Sequence, residues 1–388
     1  MAPAADPVGL REQPAPVAVP QREIDFTRPR VCLLGLPFDP ISLPEAVERV
    51  RADAFAGRRC WIATPNLNFA IAARSDAAFR QSVLRSDLSL VDGMPLIWMA
   101  RALGVPMPQR VAGSDLFEAL QAHPGPPLGV YLFGGPPGVA PRAAERINAQ
   151  GGGVRCVGFD EAGYGGVEAM SGAALIERIN RSGAHFIFGA IGAQKGQAWF
   201  AHNAARLLPP VFCHLGAVVN FTAGTVSRAP PWAQRSGLEW AFRIKEEPAL
   251  WKRYSRDGLR ATELVATRVL PAALAAWAQR ASAAGKAPPV EIGRSAAGTV
   301  LRPALAVGAA AAAALRSAFA DCVADPGRVS VDLSGVAAVG NEFAATLLVA
   351  EGWFGARGGF AVTGAGAAAR ADLHRLLCDE LLSGRTAS

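Results

Sequence analysis

Short apolar runs alternate with amphipathic helical stretches along most of the chain, and this alternation constrains the fold more than any other feature. Runs with the length of a buried strand are Val31–Leu36, Cys60–Ala63, Leu88–Val91, Gly129–Phe133, Val154–Gly158, His185–Gly189 and Val211–Leu215. Continuously apolar strands separated by helices are typical of parallel sheets that are covered on both faces. The pattern therefore predicts an α/β fold, a Rossmann-like parallel sheet covered by helices.

Length and composition fit two globular domains. The chain has 388 residues, of which 51% are hydrophobic, so sizeable cores can be buried. Six cysteines without C-x-x-C spacing predict buried free thiols in a reducing compartment. We expect no signal peptide and no membrane span, because no apolar stretch is long enough. The net charge of +7 suits nucleic acid, an anionic membrane or a phosphate-rich substrate and does not choose among them.

Composition divides the chain into four parts. Residues 1–29 are rich in proline and predict a disordered tail. Residues 30–227 form the α/β domain, residues 228–288 a basic helical appendage with a linker at Gly285–Pro289, and residues 289–388 a second, smaller α/β domain. The appendage includes a helix predicted from Ala261 to Ser282. The second domain has two early strands, followed by a helix Ala309–Ala320, a strand Val329–Leu333, a helix Glu342–Trp353, a strand Gly359–Thr363 and a helix Ala367–Leu382.

The start of the appendage combines arginine with tryptophan. From Thr225 to Arg260 it holds eight basic residues against four acidic ones, interleaved with Trp232, Trp240 and Trp251. A solvated helical face would explain the mixed charge alone. The tryptophans favour an interfacial surface that contacts lipid headgroups. Nucleic acid is the competing partner, but no known nucleic-acid-binding module accompanies the segment, so we predict none.

Polar side chains follow two of the predicted strands. Asp92 comes directly after Leu88–Val91, and Thr64 and Asn66 follow Cys60–Ala63. Ligands of open α/β sheets bind beyond the carboxyl ends of the strands, so we expect these side chains to share a cleft. An aspartate in an apolar strand-end setting suits a general base, although a turn aspartate before glycine is the usual alternative. Arg110, in the next loop, suits bidentate contact with phosphate.

Two glycine-containing turns follow predicted strands and precede predicted helices. The first contains Gly134, Gly135 and Gly138, and the second contains Gly192, Gln194, Lys195 and Gln197. Such turns let backbone N–H groups approach a phosphate, although a tight turn without a ligand explains the same residues. His185 and His214 lie in apolar strands and are predicted core histidines. Without an Asp-x-Asp pair the sequence predicts neither a metal site nor a cofactor.

Five segments resemble the WecG/TagA/CpsF glycosyltransferase family, in order, over about Arg30 to Arg260. They are TPNLNF, DLSLVDGMPLIWMARALGVPMPQRVAGSDLF, YLFGGPPGVA, GAQKGQAWF and AGTVSRAPPWAQRSGLEWAFRIKEEPALWKRY. The resemblance implies a metal-independent, inverting transfer of a sugar from a nucleotide-sugar, commonly UDP-linked. The implied acceptor is an undecaprenyl-diphosphate-linked glycan of bacterial exopolysaccharide biosynthesis. The implied location is the cytoplasmic face of the cell membrane, where the protein would be peripheral.

The resemblance also implies roles for individual residues. Asp92 matches the proposed base, and Thr64 and Asn66 match the substrate-contacting TPN motif. Arg110 and Asp115 belong to the motif R-V-x-G-x-D and would also contact substrate. Residues implied to contact substrate diphosphates or the membrane from the appendage are Arg243 and Arg253. The glycines Gly134, Gly135, Gly138 and Gly192 would hold the nucleotide, and Gln194, Lys195 and Gln197 would contact substrate.

Two positions depart from the family pattern. Gly196 stands where the family has glutamine, and Asn220 stands where it often has aspartate. These departures favour the alternative of a non-catalytic scaffold for polysaccharide assembly. An enzyme is favoured by the joint presence of Thr64, Asn66, Asp92 and Arg110, because a decayed site has no physical reason to keep all four.

The C-terminal part, with VSVDLSGVAAVGNEFAATLLVAEGWFGARGGFAVTGAG, resembles a STAS domain, which implies a protein partner. Its loop Gly340–Phe343 lacks the Ser or Thr that is phosphorylated in regulated STAS domains. Glu342 could act as a fixed negative charge there. The simpler interpretation is that Asn341 and Glu342 cap the following helix.

Overall fold

The computed structural model describes residues 24–161, 165–246, 248, 251–279, 290–303, 309–324 and 327–383. Residues 1–23 of the predicted tail, the predicted linker Gly285–Pro289 and Ser282 lie outside the described residues. All six cysteines are buried and free, as predicted.

The first apolar run forms a separate hairpin. Strand β1 (Val31–Leu33) pairs antiparallel with β2 (Leu36–Phe38) in a two-stranded sheet of its own. The chain reverses through Leu34 and Gly35, whose φ angles are 53° and 76°. The prediction that Val31–Leu36 is one strand of the parallel sheet was therefore wrong, because the leucine–glycine pair makes a turn inside the apolar run.

The main sheet confirms the predicted parallel α/β fold. Its six strands are β3 (Cys60–Ala63), β4 (Leu88–Ser89), β5 (Leu128–Gly134), β6 (Val154–Asp160), β7 (Phe186–Ala190) and β8 (Val211–His214). They run parallel in the order β4-β3-β8-β7-β5-β6. The carboxyl ends of the adjacent strands β4, β3 and β8 therefore meet at one edge of the sheet.

Nine α-helices accompany this sheet in the described part of residues 30–227. They are α1 (Leu43–Phe55), α2 (Leu67–Ala73), α3 (Ala77–Leu84), α4 (Met94–Leu103), α5 (Gly113–Ala122), α6 (Val139–Gln150), α7 (Ala173–Arg181), α8 (Ala193–Asn203) and α9 (Gly216–Ala223). Alternate residues of each strand face opposite sides of the sheet. Ile62 accordingly packs in one core with α1, α5, α6 and α9, and Trp61 packs in another with α7 and α8.

The appendage is helical, as predicted. It contains α10 (Pro231–Arg235), α11 (Glu239–Glu246), α12 (Trp251–Leu264) and α13 (Leu270–Gln279), with one π-helical turn at Val265–Val269 between the last two. The helix predicted from Ala261 begins ten residues earlier, at Trp251. Among the helices of the described residues, none combines the length and apolar character needed to cross a bilayer.

The C-terminal part contains a second sheet. Strands β9 (Val290–Ser295), β10 (Gly298–Pro303), β11 (Val329–Asp332) and β12 (Phe360–Thr363) lie in the order β12-β11-β10-β9. Only β9 pairs antiparallel, with β10. The helices are α14 (Ala309–Ala320), α15 (Asn341–Phe354) and α16 (Ala367–Arg375). The order of elements matches the prediction, and the STAS-like assignment stays a prediction.

Two details of this part differ from expectation. The final helix stops at Arg375, because Leu377 takes a left-handed conformation with φ of 60°, and a short 3-10 helix follows at Asp379–Leu382. Gly340 is the N-cap of α15 and provides no side-chain cap. Asn341 and Glu342 therefore lie within the first turn of α15 and do not cap it.

The N-terminal segment and the C-terminal part share one hydrophobic core. Phe26 is 3% exposed, and its ring lies 5.3 Å from that of Phe319 and 5.9 Å from that of Phe354. The same core includes the β1–β2 hairpin and residues of α2, α3 and α4. The prediction that the tail extends to residue 29 was therefore wrong at its end, since Phe26 is part of this core.

An ion pair joins the two α/β parts inside this contact. Arg80 of α3 donates two hydrogen bonds to the carboxylate of Glu351 in α15, at 2.7 and 2.9 Å. Beside it Gly352 approaches the backbone of Leu84 so closely that an added Cβ would lie 2.5 Å from the carbonyl oxygen. Bidentate arginine–carboxylate pairs fix orientation as well as contact. The C-terminal part is thus held in a defined position on α3.

Candidate active site

A cavity of about 580 Å³ opens beyond the carboxyl ends of β3, β4 and β8. Its wall contains Thr64 and Asn66 from the loop after β3, Asp92 from the loop after β4, and Arg110. These four residues were predicted from the sequence, and the structure brings them to one cavity. Their roles in binding and catalysis stay predictions.

The loops after β3 and β4 are tied together by their backbones. The Leu90 N–H donates to the carbonyl of Ala63, and the Asp92 N–H donates to the carbonyl of Pro65, both at 2.9 Å. The side-chain oxygen of Asn66 accepts from the N–H of Phe69 at 3.2 Å and so caps α2. The sheet thereby fixes the backbone positions from which these side chains enter the cavity.

The carboxyl group of Asp92 is held in an unfavourable setting for its charge. Its pKa is raised to about 7, chiefly by burial and also by the neighbouring carboxylates of Glu239 and Asp115, while Arg110 and Arg243 act in the opposite direction. A carboxyl group that titrates near neutral pH exchanges protons with little driving force in either direction. This is the property that a general base needs.

Arg110 is held by carboxylates on two sides. Its guanidinium donates to Asp115 and to Glu239, each at 2.8 Å. Asp115 also pairs with Arg228 and accepts from the Ala112 N–H at 3.3 Å. The structure therefore places Asp115, predicted to contact substrate, behind Arg110 and outside the cavity wall. Glu239 lies in the wall itself and belongs to the appendage.

Several helices begin at this cavity. The cavity wall includes the N-caps Gly93 of α4, Gly192 of α8 and Leu215 of α9, and none of these three forms a side-chain cap. The first N–H groups of such helices lack intrahelical partners and carry a partial positive charge. Together they suit an anionic ligand such as a phosphate. In the part of the chain that the structure describes, no three His, Cys, Asp or Glu side chains are placed to hold a metal ion.

The appendage closes one side of the cavity. Trp240 and Arg243 of α11 and Tyr254 and Asp257 of α12 line it. Asp257 accepts a hydrogen bond from Asn68 of α2 at 2.8 Å, which fastens the appendage to the sheet domain. The predicted Arg243 is thus in the cavity wall. Arg253 lies in α12, but its side chain is outside what the structure describes.

The first glycine turn lies away from this cavity. Gly134, Gly135 and Gly138 do not line it, although all three have positive φ. The N–H of Gly138, at the start of α6, donates to the carboxylate of Glu161 at 2.6 Å. A carboxylate of the protein therefore takes the position where a nucleotide phosphate was predicted.

The predicted polar residues of α8 are also directed elsewhere. Gln194 donates to Asp76 at 3.4 Å, and Lys195 donates to the carbonyl of Gly165 at 3.1 Å. Gln197 is 1% exposed and does not reach the cavity. Of the second glycine turn, Gly192 and the adjacent Ala193 line the cavity. Contacts of these three side chains with substrate stay predictions that the present geometry does not support.

His214 is a cavity residue that the sequence reasoning assigned to the core. It ends β8 and lines the cavity beyond the carboxyl ends of β3 and β4. Its Nδ1 lies 3.0 Å from the carbonyl oxygen of Gly189, and burial lowers its pKa to about 4. The strand-end rule that identified Asp92 applies equally to His214, so the signal was present in the sequence.

Comparison with known proteins agrees with this geometry. The model of the glycosyl transferase WecG/TagA/CpsF family matches residues 31–273. The N-acetylglucosaminyldiphosphoundecaprenol N-acetyl-beta-D-mannosaminyltransferase of Bacillus subtilis (strain 168) is 29% identical over 194 residues, which are 50% of this chain and 73% of that protein. The protein of the same description from Bacillus spizizenii is 27% identical over 195 residues, which are 50% of this chain and 74% of that protein. Since the family model covers well over half of the sequence, the chain belongs to the WecG/TagA/CpsF family and is a glycosyltransferase.

Proposed function

We propose that the enzyme transfers an N-acetylhexosaminyl or related sugar from a UDP-sugar to an undecaprenyl-diphosphate-linked acceptor, with inversion and without a metal ion. The observation that carries the proposal is a carboxyl group with a pKa of about 7 in a cavity ringed by uncapped helix N-termini. The names of the two relatives support a polyprenyl-diphosphate acceptor that carries N-acetylglucosamine. Exopolysaccharide biosynthesis is the proposed context.

The proposed chemistry is a single displacement. Asp92 accepts the proton of an acceptor hydroxyl while that oxygen forms a bond to the anomeric carbon of the donor sugar. The bond from that carbon to the nucleotide diphosphate breaks on the opposite face, and its electron pair leaves with the diphosphate oxygen. Attack opposite to the leaving group inverts the anomeric configuration. A base of matched pKa contributes about 100- to 10,000-fold to such a step.

The charge of the departing diphosphate is the second requirement. The N-termini of α4, α8 and α9 supply aligned N–H donors, and Arg110 and Arg243 supply full charges at the same cavity. Fixed donors and cations of this kind stabilise charge that develops in the transition state. This arrangement supports a reaction in which protein groups stabilise the negative charge of the diphosphate, as Mg²⁺ does in many nucleotide-sugar enzymes.

Glu239 would compete with the substrate diphosphate for the guanidinium of Arg110. Its carboxylate lies 2.8 Å from Arg110, and both residues line the cavity. A phosphate with two or more oxygens matches the same donors. We propose that the bound diphosphate takes over part of this contact and that the appendage, which carries Glu239, shifts when it does so.

The outer surface of the appendage suits a membrane. Large apolar side chains that are more than half exposed are Trp232, Trp251, Leu259, Leu270 and Leu274. Basic residues accompany Trp232 on α10 and Trp251 and Leu259 on α12. Amphipathic helices with aromatic and cationic side chains bind the headgroup region of anionic bilayers. We therefore propose a peripheral position on the inner face of the cell membrane, where a polyprenyl acceptor is anchored. Nucleic acid is not a proposed partner.

The second candidate function is a non-catalytic scaffold that binds a protein partner through the STAS-like part. It is favoured by the departures at Gly196 and Asn220, and the side-chain oxygen of Asn220 is buried without a hydrogen-bond partner among the described residues. A neutral amide is less costly than a carboxylate in such a position. Asn220 does not line the cavity, so this substitution leaves the proposed reaction possible.

One experiment separates the two functions. The purified enzyme is incubated with a panel of UDP-sugars and a short-chain polyprenyl-diphosphate-linked N-acetylglucosamine, and the product is detected by mass. We expect one donor to extend the acceptor by one sugar, and the Asp92→Asn variant to form at least 100-fold less product. Nucleotide release without extension of the acceptor, or no reaction with any donor, would contradict the proposed transfer.

A further inference from the structure

Two glycines enclose the ring of His214. A Cβ added to Gly196 would lie 3.3 Å from both Cβ and Nδ1 of His214, and one added to Gly216 would lie 3.0 Å from Cε1. Any larger residue at either position would press on the imidazole. Gly196, one of the two departures from the family pattern, therefore provides the space that the His214 ring occupies. Gly196 and His214 are thus structurally linked, because the ring of His214 packs against Gly196.

The hydrogen bonds of the ring determine its tautomer. Nδ1 lies 3.0 Å from the carbonyl oxygen of Gly189, and a carbonyl can only accept, so Nδ1 carries the proton. Because burial lowers the pKa of His214 to about 4, the ring is neutral at physiological pH. Nε2 then carries a lone pair. It forms no hydrogen bond with any residue that the structure describes and is not fully buried, and His214 lines the cavity.

We infer that Nε2 of His214 accepts a hydrogen bond from a hydroxyl or amide N–H of the sugar bound in the cavity and thereby selects that sugar. The inference rests on the proposed transfer reaction and adds a specificity-determining residue to it. Donor groups on sugars are hydroxyl and acetamido N–H groups. The carboxylate of a uronic acid offers only acceptors and would face the lone pair unfavourably. His214 thus favours a neutral or N-acetylated sugar at this position.

His214 has a different role from that of the proposed base, Asp92. Its proton affinity is too low to take a proton near neutral pH, whereas Asp92 is matched to that task. A site that hydrogen-bonds a sugar group rejects the analogue that lacks the group, because its own polar atom is then left unpaired. Loss of one such bond corresponds to a discrimination of about 10- to 100-fold in kcat/KM.

The test compares the wild-type enzyme with His214→Ala, using the accepted sugar substrates and their deoxy analogues, or analogues without the amide N–H. We expect one analogue to react about 10- to 100-fold more slowly than its parent with the wild type. The same pair should react at similar rates with His214→Ala. His214→Gln, which returns an acceptor near the Nε2 position, should restore part of the discrimination. A purely structural role would change stability without changing this ratio.

Two further variants complete the design. His185→Ala is the matched control, since His185 is also partly buried and accepts the Gly129 N–H at 3.0 Å but does not line the cavity. It should keep the wild-type ratio. Gly196→Ala displaces the ring without removing it and should also weaken the discrimination. This variant provides the test if His214→Ala does not fold. Transfer with an unchanged ratio in both the His214→Ala and Gly196→Ala variants would overturn the inference and leave the proposed function intact. Absence of transfer by the wild type with every donor would overturn the proposed function and, with it, this inference.

Discussion

Replacing Asp92 by asparagine should make the enzyme inactive and more stable at the same time. The pKa of Asp92 rises from an ordinary value of 3.8 to about 7 in the fold. Each pKa unit corresponds to about 1.36 kcal/mol, so the ionised form costs the native state up to about 4 kcal/mol relative to the unfolded chain. Asparagine has a similar shape and no charge to bury. We therefore expect Asp92→Asn to remove this cost.

The sign and the pH range follow from the direction of the shift. Because the native state holds the proton more tightly than the unfolded chain, the cost is absent below pH 3.8, grows as the pH rises and is complete above about pH 7. In urea denaturation, the free energy of unfolding of the variant should exceed that of the wild type by up to about 4 kcal/mol at pH 8 and by about 1.6 kcal/mol at pH 5. In the wild type, kcat/KM should fall tenfold per pH unit below about pH 7.

Asp257→Asn is the matched control. Asp257 lines the same cavity, but its carboxylate accepts a hydrogen bond from Asn68 at 2.8 Å. Its replacement exchanges a charge-assisted hydrogen bond for a neutral one, so we expect no gain in the free energy of unfolding. The reasoning would be refuted if Asp92→Asn were less stable than the wild type at pH 8, or if its advantage were the same at pH 5 and pH 8.

Three other predictions concern the surroundings of the cavity and the domain contact. Glu239→Gln removes a carboxylate that raises the pKa of Asp92, so the acidic limb of the kcat/KM profile should move to lower pH; an unmoved limb would contradict this. Arg80→Ala leaves the partly buried Glu351 without its bidentate partner and with Gln81 as a remaining donor, and denaturation should show a loss of about 3–5 kcal/mol; a loss below about 1 kcal/mol would show that the pair is not important for stability. Transfer activity should be unchanged after dialysis against a chelator, and its loss, restored by a divalent cation, would refute the metal-independent mechanism.

The sequence was sufficient to predict the six strands of the main sheet, though not the separate β1–β2 hairpin, and the residues at the strand ends. Parallel strands place their carboxyl ends at one edge of the sheet. Thr64, Asn66 and Asp92 could therefore be expected to meet, although Asp92 lies 26 residues beyond Asn66. The same rule includes His214. It was overlooked because a histidine in an apolar strand is usually satisfied inside the core, and the open Nε2 depends on the space left by Gly196.

Other parts of the site depend on how distant segments dock. Glu239 and Asp257 become cavity residues only because the appendage folds against α2 and the loop of Arg110. No local pattern contains that information. Similarly, Gly138 looks like a phosphate-binding glycine until Glu161, from a neighbouring strand end, is found to occupy its N–H. Local motifs predicted possible donors, and tertiary contacts determined which of them remain available.

The shared core of the two chain ends has a consequence for how the protein is made. The thiol groups of Cys32 and Cys378 lie 3.6 Å apart although 346 residues separate them. At a synthesis rate of about 5–20 residues per second, the β1–β2 hairpin leaves the ribosome roughly 20–70 s before the C-terminal segment that covers it. During that interval the part of its apolar surface that packs against α15 and the C-terminal segment is uncovered, although α2, α3 and α4 of the same core are already synthesised. Any early stop in translation leaves this surface exposed and directs the product towards chaperones or aggregation.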